Sequence, residues 1–230
     1  MLGVVAHPHS EPPLTPPPWI DPGALVKGRP TLPLMVQLLV GLALFGAGES
    51  LIVLAALGNT PWTVLAEGVA SHTALGIGTA TVVLSVIVLL TWIPLRQALG
   101  IGTVLNALVI GFVIALVLSL VAPADAIGLR AAEVVGGILL VGIGSGLYLG
   151  CHLGPGPRDG LMTGLHRRTG RSLRLLRTAI EGSALILGVI LGGTIGIGTL
   201  LFALTIGPVV QHALGLSERL LPAGGAARSG

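Results

Sequence analysis

Gly100-Ile101-Gly102-Thr103-Val104-Leu105-Asn106-Ala107-Leu108-Val109-Ile110-Gly111 recurs 96 residues later as Gly196-Ile197-Gly198-Thr199-Leu200-Leu201-Phe202-Ala203-Leu204-Thr205-Ile206-Gly207. The same register, without a gap, pairs Gly41, Gly46, Gly48 and Leu51 with Gly137, Gly142, Gly144 and Leu147. It also pairs Gly58, Pro61 and Gly68 with Gly154, Pro157 and Gly164. Apolar composition produces scattered leucine matches, but it does not place so many glycines and a proline in one register. The chain therefore reads as an internal repeat.

The repeat is embedded in a chain that is 53% hydrophobic and only 9% charged. A soluble domain carries about 25% charged residues, so this one has too little charge to cover a water-facing surface. That excludes an ordinary cytosolic enzyme, a disordered chain and a nucleic-acid binder. The net charge of +3 says little by itself, and the lone cysteine, Cys151, excludes an intramolecular disulfide. Apolar stretches near the roughly 20 residues a spanning helix needs fall at about 32–57, 76–95, 98–121, 132–153, 173–193 and 195–216. Two shorter pieces, 60–74 and 156–170, open with Thr60-Pro61 and Gly156-Pro157, which are helix-start signatures. The predicted organisation is a Pro-rich flexible tail over 1–31, a first membrane repeat over 32–121, a second over 132–216, and a flexible tail over 217–230. The first tail lacks the pattern of a signal peptide, and its Trp19 and Ile20 are placed to touch the interface. His7 and His9 are too sparse for a metal site.

With the N-terminus inside and six alternating spans, the inner side collects Lys27, Arg29, Arg96, Arg158, Arg167, Arg168, Arg171, Arg174, Arg177, Arg219 and Arg228, and the outer side only Arg130. That is a strong positive-inside asymmetry, so both termini are expected in the cytoplasm. Each repeat holds three spans, an odd number, so the second copy enters from the opposite side. The predicted fold is all-α: six transmembrane helices as two inverted three-helix repeats, each with a short broken or re-entrant helix. Many secondary transporters are built this way.

The string over 150–171, with its Leu-Gly-Pro-Gly-Pro-Arg-Asp-Gly-Leu, resembles the LGxGPxD segment of the bacterial YczE-like integral membrane proteins, related to the YitT group. Gly196-Ile197-Gly198-Thr199 with Ile206-Gly207-Pro208 resembles that family's GIGT…NxxxIGP segment. The likeness spans most of 32–216. Arg158 stands where the family pattern has an aromatic and Phe202 where it has Asn, although Trp62 and Asn106 keep those types in the first repeat. The resemblance implies a multi-pass bacterial inner-membrane protein and no particular substrate.

Helix N-termini present unpaired N–H groups and partial positive charge, so they suit anionic groups. Gly58, Thr60, Pro61, Gly154, Gly156, Pro157, Arg158 and Asp159 are therefore expected to shape a central substrate cavity, the alternative being interfacial helices that only turn the chain. Thr103 and Thr199 offer hydroxyls to a ligand or mark tight packing. Ionisable groups within spans are costly and are functional candidates by default. Glu49, inside Gly46-Ala47-Gly48-Glu49-Ser50, is expected to face the bundle interior near the second repeat's turn, and its register partner is the uncharged Ser145. Glu181 either serves a site or pairs with Arg177 one turn earlier, and His152 ends the fourth span. Glu67 is expected to be solvated on the outer side, and Tyr148 to be packing. No zinc spacing, phosphate loop, nucleophile elbow or kinase set is present, so neither a cofactor nor enzymatic chemistry is expected. The function read is small-solute transport, with a solute-binding subunit of a larger transport complex and a non-transporting assembly or lipid-interaction factor as alternatives. Expected partners are the lipid bilayer, an unknown small solute with anions among the candidates, and a second copy of the chain; nothing points to nucleic acid.

Overall fold

A computed structural model describes residues 31–220, and the described chain is helical with no strand. The Pro-rich stretch before Thr31, with His7, His9, Trp19 and Ile20, and residues 221–230 lie outside the described residues. The helices are α1 (Leu32–Ala55), α2 (Pro61–Ser71), α3 (Ile77–Leu90), α4 (Trp92–Leu95), α5 (Ile101–Leu120), α6 (Ile127–Gly150), α7 (Pro157–Thr169), α8 (Leu173–Ile190) and α9 (Ile197–Leu220). α7, α8 and α9 begin 96 positions after α2, α3 and α5 respectively.

Five segments are long and apolar enough to cross a membrane: Leu32–Ala55, Ile77–Leu95, Ile101–Leu120, Ile127–Gly150 and Ile197–Arg219. The sixth expected span, α8, is not among them, because Arg174, Arg177 and Glu181 dilute its 18 residues. At 11 and 13 residues, α2 and α7 are too short to span. Two boundaries differ from the sequence reading. α6 starts at Ile127 rather than near 132, and α9 continues past 216 to Leu220. Ser217 is buried there and accepts a hydrogen bond from Gln37 Nε2 at 3.2 Å, which anchors the extra turn against α1.

Glycine sets how the helices meet. α1 and α6 run antiparallel with their backbones in near contact. A Cβ on Gly41 would lie 2.9 Å from Gly144 O, and one on Gly48 2.6 Å from Gly137 O. Inside a membrane, helices gain nothing from leaving water, so close approach of small residues supplies the association instead. The flanking seams repeat in the same register: Gly46 faces Val113 between α1 and α5, and Gly142 faces Val209 between α6 and α9. The apolar core lies along the central pair, around Leu38, Leu42, Ile52, Ile138 and Val141.

The loops after α1 and α6 are clasped across the molecule. Gly198 N donates to Leu57 O at 2.8 Å, and Gly102 N donates to Leu153 O at 2.9 Å, a reciprocal pair 96 residues apart. Such an approach needs backbone that turns sharply, and Gly58 (φ 110°) and Gly154 (φ 122°) provide it. A side chain at Gly58 would run into Gly196. Arg130, the lone outer cation of the sequence reading, reaches from α6 to the end of α1, where its Nε and Nη2 donate to Ala55 O at 2.6 Å and Ala56 O at 2.9 Å. A cation here answers carbonyls that have no partner within the helix.

Gly160 of α7 is filled by the buried ring of Trp92, whose Nε1 donates to Pro157 O at 3.0 Å. Alanine in a helix is ordinarily worth about 1 kcal/mol over glycine. Here the added methyl overlaps the indole, and overpacking of this kind costs about 1–3 kcal/mol. Gly160→Ala is expected to lower the melting midpoint of the purified protein in detergent, against the propensity trend. A raised midpoint would show that Trp92 moves aside freely.

Candidate functional site

The interior acid comes from α1, which places Phe45 and Glu49 one turn apart on the same face. Glu49 is buried, 3% exposed. Two hydroxyls from the start of α2 meet its Oε2: Thr60 Oγ1 donates at 2.9 Å and Thr63 Oγ1 at 2.6 Å. The proline at position 61 starts α2 and fixes where these threonines stand. Burying a carboxylate without such donors is prohibitively costly.

Glu49 borders a cavity of about 70 Å³, and the N-terminus of α7, Gly156 through Asp159, forms its far wall. A single water needs roughly 10–15 Å³ by this kind of measure, so the space suits a few waters or one small solute. Arg158 places its guanidinium carbon 5.6 Å from the centroid of the Phe45 ring, within cation–π reach. It makes no hydrogen bond or ion pair among the described residues. Asp159 Oδ2 accepts a hydrogen bond from the Tyr148 hydroxyl at 2.9 Å. Tyr148, expected to be packing alone, is therefore a polar member of the cavity wall that orients Asp159. Asn106 of α5 is only 8% exposed, lines the same cavity and has no hydrogen bond among the described residues. Trp62 Nε1 is likewise buried without a partner.

A second, smaller cavity of about 30 Å³ lies beyond Trp62 and Arg158. Its walls repeat those of the first in the 96-residue register. Trp62, Thr63, Thr81, Leu84 and Ser85 line one, and Arg158, Asp159, Arg177, Ile180 and Glu181 line the other. Trp62 and Arg158, themselves register partners, border both.

The structure thus gathers Glu49, Gly156, Pro157, Arg158 and Asp159 around one cavity, with Thr60 and Pro61 supporting Glu49 and Glu181 in the neighbouring cavity. Glu181 also accepts from Arg177 Nε at 3.0 Å, the local pairing that its spacing allowed. The remaining candidates lie elsewhere. Thr103 donates to Pro155 O at 2.8 Å, and Thr199 accepts from Gly196 N at 3.2 Å against Gly58, so all three belong to the loop clasps. His152 adopts φ 53° in the turn after α6 and does not line the cavity. Glu67 is not simply solvated: it accepts from Asn59 Nδ2 at 2.8 Å and from Thr194 N and Oγ1 at 2.6 and 2.8 Å, tying the loop after α1 to the loop before α9. The residues that sequence reasoning missed are Thr63, Trp62, Asn106 and Tyr148. One signal for them was present: each differs in character from its register partner, respectively Asp159, Arg158, Phe202 and Ile52.

An uncharacterized protein of Haemophilus influenzae is 46% identical over 183 residues, covering 80% of this chain and 84% of that protein. The uncharacterized membrane protein YczE of Bacillus subtilis is 31% identical over 184 residues, 79% of this chain and 85% of its own. The uncharacterized protein YyaS of the same organism is 26% identical over 185 residues, 78% of this chain and 92% of its own. No solved structure matches the chain. The resemblance carried by the glycine and proline motifs is thus a relationship along most of the chain. Residues 34–214 match the model of a family of unknown function, DUF6198, and the chain is a YczE-like membrane protein belonging to that family.

Proposed function

We propose that the chain is a small-solute transporter of the bacterial inner membrane, with six spans in two inverted three-helix repeats and both termini in the cytoplasm. The observation that carries this reading is the pair of cavities lined by register-equivalent residues on either side of Trp62 and Arg158. Inverted repeats give a transporter two equivalent half-paths that meet near the membrane middle, at broken helices whose N-termini face the solute. The antiparallel α1–α6 seam and the reciprocal loop clasps favour the same construction. On this reading α8 is the sixth span, because its counterpart α3 lies in a segment that meets the length and hydropathy of a span. Arg174 then reaches back toward the inner headgroups from its first turn, while Arg177 pairs with Glu181.

The construction is tested by sidedness. Ser71 and Thr169 are both exposed, at the ends of the two short helices. With Cys151 replaced, a cysteine at Ser71 is expected to react with an impermeant thiol reagent from outside intact cells, and one at Thr169 only after lysis. Labelling of both from the same side would remove the inverted arrangement, and with it the paired half-paths.

One observation favours a second reading, a solute-binding subunit within a larger assembly. Ala203, Gly207 and Gly215 lie on one row of α9 at multiples of four residues, and a Cβ on either glycine would meet nothing within 4 Å. Small residues at this spacing are what helix partners in membranes use.

A further inference from the structure

Five groups around the cavity bordered by Glu49 have unmet valences, and they are of two opposite kinds. Arg158 makes no hydrogen bond and no ion-pair contact among the described residues, although the charges of Asp159, Glu181 and Glu49 act on it from farther off. Asn106, nine-tenths buried, and the indole N–H of Trp62 are donors without acceptors. On the other wall, both threonine bonds of Glu49 converge on Oε2, while its Oε1 receives only a long contact of 3.3 Å from Thr60. Asp159, on the α7 wall beside Arg158, engages Tyr148 through one oxygen, Oδ2. Buried charges need hydrogen-bonded partners, and a cavity whose cation and acids face one another without contact leaves room for a molecule between them.

A bare anion would satisfy Arg158, Asn106 and Trp62 and leave the acids unanswered. A bare cation would do the reverse. A molecule that carries a carboxylate and an ammonium a few ångströms apart answers both walls at once. The cavity volume of about 70 Å³ restricts such a molecule to very few heavy atoms. We propose that this cavity binds a small zwitterionic α-amino acid, of the size of glycine or alanine. Its carboxylate lies at the α7 N-terminus against Arg158 and Asn106, and its ammonium lies against Glu49 beside the Phe45 ring. Arg158 offers a planar fork of donors matched to a carboxylate, and the unpaired N–H groups at the start of α7 add to it. The Phe45 face, already within reach of one cation, suits the ammonium as well. This assignment rests on the reading of the cavity as a solute site, and it adds the chemistry of the solute.

The test is equilibrium binding to the purified full-length protein in detergent, with glycine, acetate and methylammonium as probes, and with quenching or enhancement of the Trp62 emission as a second signal. Glycine is expected to saturate the wild type. Acetate and methylammonium, each with half of the contacts, are expected to bind at least about tenfold more weakly, the loss of one charge-assisted contact. Asn106→Leu, close in size and free of charge, is expected to weaken glycine by about tenfold and leave methylammonium unchanged. Acetate binding as tightly as glycine would make this an anion site, and methylammonium doing so would make it a cation site. Failure of glycine to bind a wild type that elutes as a single folded species would likewise overturn the assignment. Glycine flux into liposomes is measured on the same preparation. Binding without flux would retain the ligand and remove the transport reading, whereas flux of another solute without glycine binding would do the opposite.

Discussion

Gly137→Leu is expected to abolish recovery of folded protein, and Gly136→Leu, one residue away on the same helix, is expected to be tolerated. A Cβ on Gly137 would stand 2.7 Å from Gly48 O, whereas one on Gly136 would meet nothing within 4 Å. Both changes raise helix propensity by a similar amount, under about 1 kcal/mol, so propensity cannot separate them. What separates them is backbone. A side chain at 137 cannot be accommodated by rotamer change in a neighbour, because the obstructing atom is a carbonyl of the facing helix. The α1–α6 pair must then spread along its length, and overpacking that moves backbone costs of order 3 kcal/mol or more. Monodisperse yield and thermal unfolding in detergent are the measurements. Equal tolerance of the two leucines would mean that α1 and α6 do not meet through their glycines.

The seam was legible in the sequence because its requirement is chemical identity. Only glycine permits such contact, so both copies of the repeat keep it at 41 and 137, and at 48 and 144. The turn positions were legible for the same reason: φ values of 110° and 122° at Gly58 and Gly154 admit little else. The cavity walls follow the opposite rule. Glu49 and Ser145, Asn106 and Phe202, Tyr148 and Ile52, and Trp62 and Arg158 are register partners that differ in polarity, and the first member of each pair lines the larger cavity. Identity marks where backbone meets backbone, and difference marks where the halves take unlike roles.

Other features were hidden because they depend on elements far apart in the chain. Glu67 looks like a surface acid in a short helix, and only folding brings Thr194 to it across 127 residues. Tyr148 sits among glycines and leucines, and its hydroxyl has a purpose only once α7 turns back to present Asp159. α8 is apolar enough in its second half, but its charges depress any window that includes the first two turns. Whether such a helix spans depends on what its charges face: Arg177 and Glu181 answer each other and border the small cavity.

Glu49→Gln is expected to leave the fold intact and to remove the dependence of solute flux on pH between about 5 and 8. Retention of the fold follows from the hydrogen bonds. Thr60 and Thr63 both donate to one oxygen of the carboxylate, and an amide oxygen in that place accepts both with its two lone pairs. Glu49→Ala is the contrast. It leaves the buried hydroxyl of Thr63 without its acceptor, while Thr60 keeps Thr63 Oγ1 at 3.1 Å. An orphaned hydroxyl costs about 1–3 kcal/mol, and the variant is expected to melt below the wild type. The effect on flux follows from where the acid stands. Its cavity is shared by Tyr148 of α6 and by Arg158 and Asp159 of α7, and its carboxylate is one of the charges acting on Arg158. A proton gained or lost at Glu49 therefore changes the charge next to the one cation in the cavity without disturbing the backbone. Glutamine keeps the shape and holds that charge fixed at zero. Flux into proteoliposomes, measured at matched internal and external pH, is expected to vary in the wild type and to be flat in the variant. Identical pH profiles for the two, with identical melting, would make Glu49 a purely structural acid that holds the start of α2 against α1.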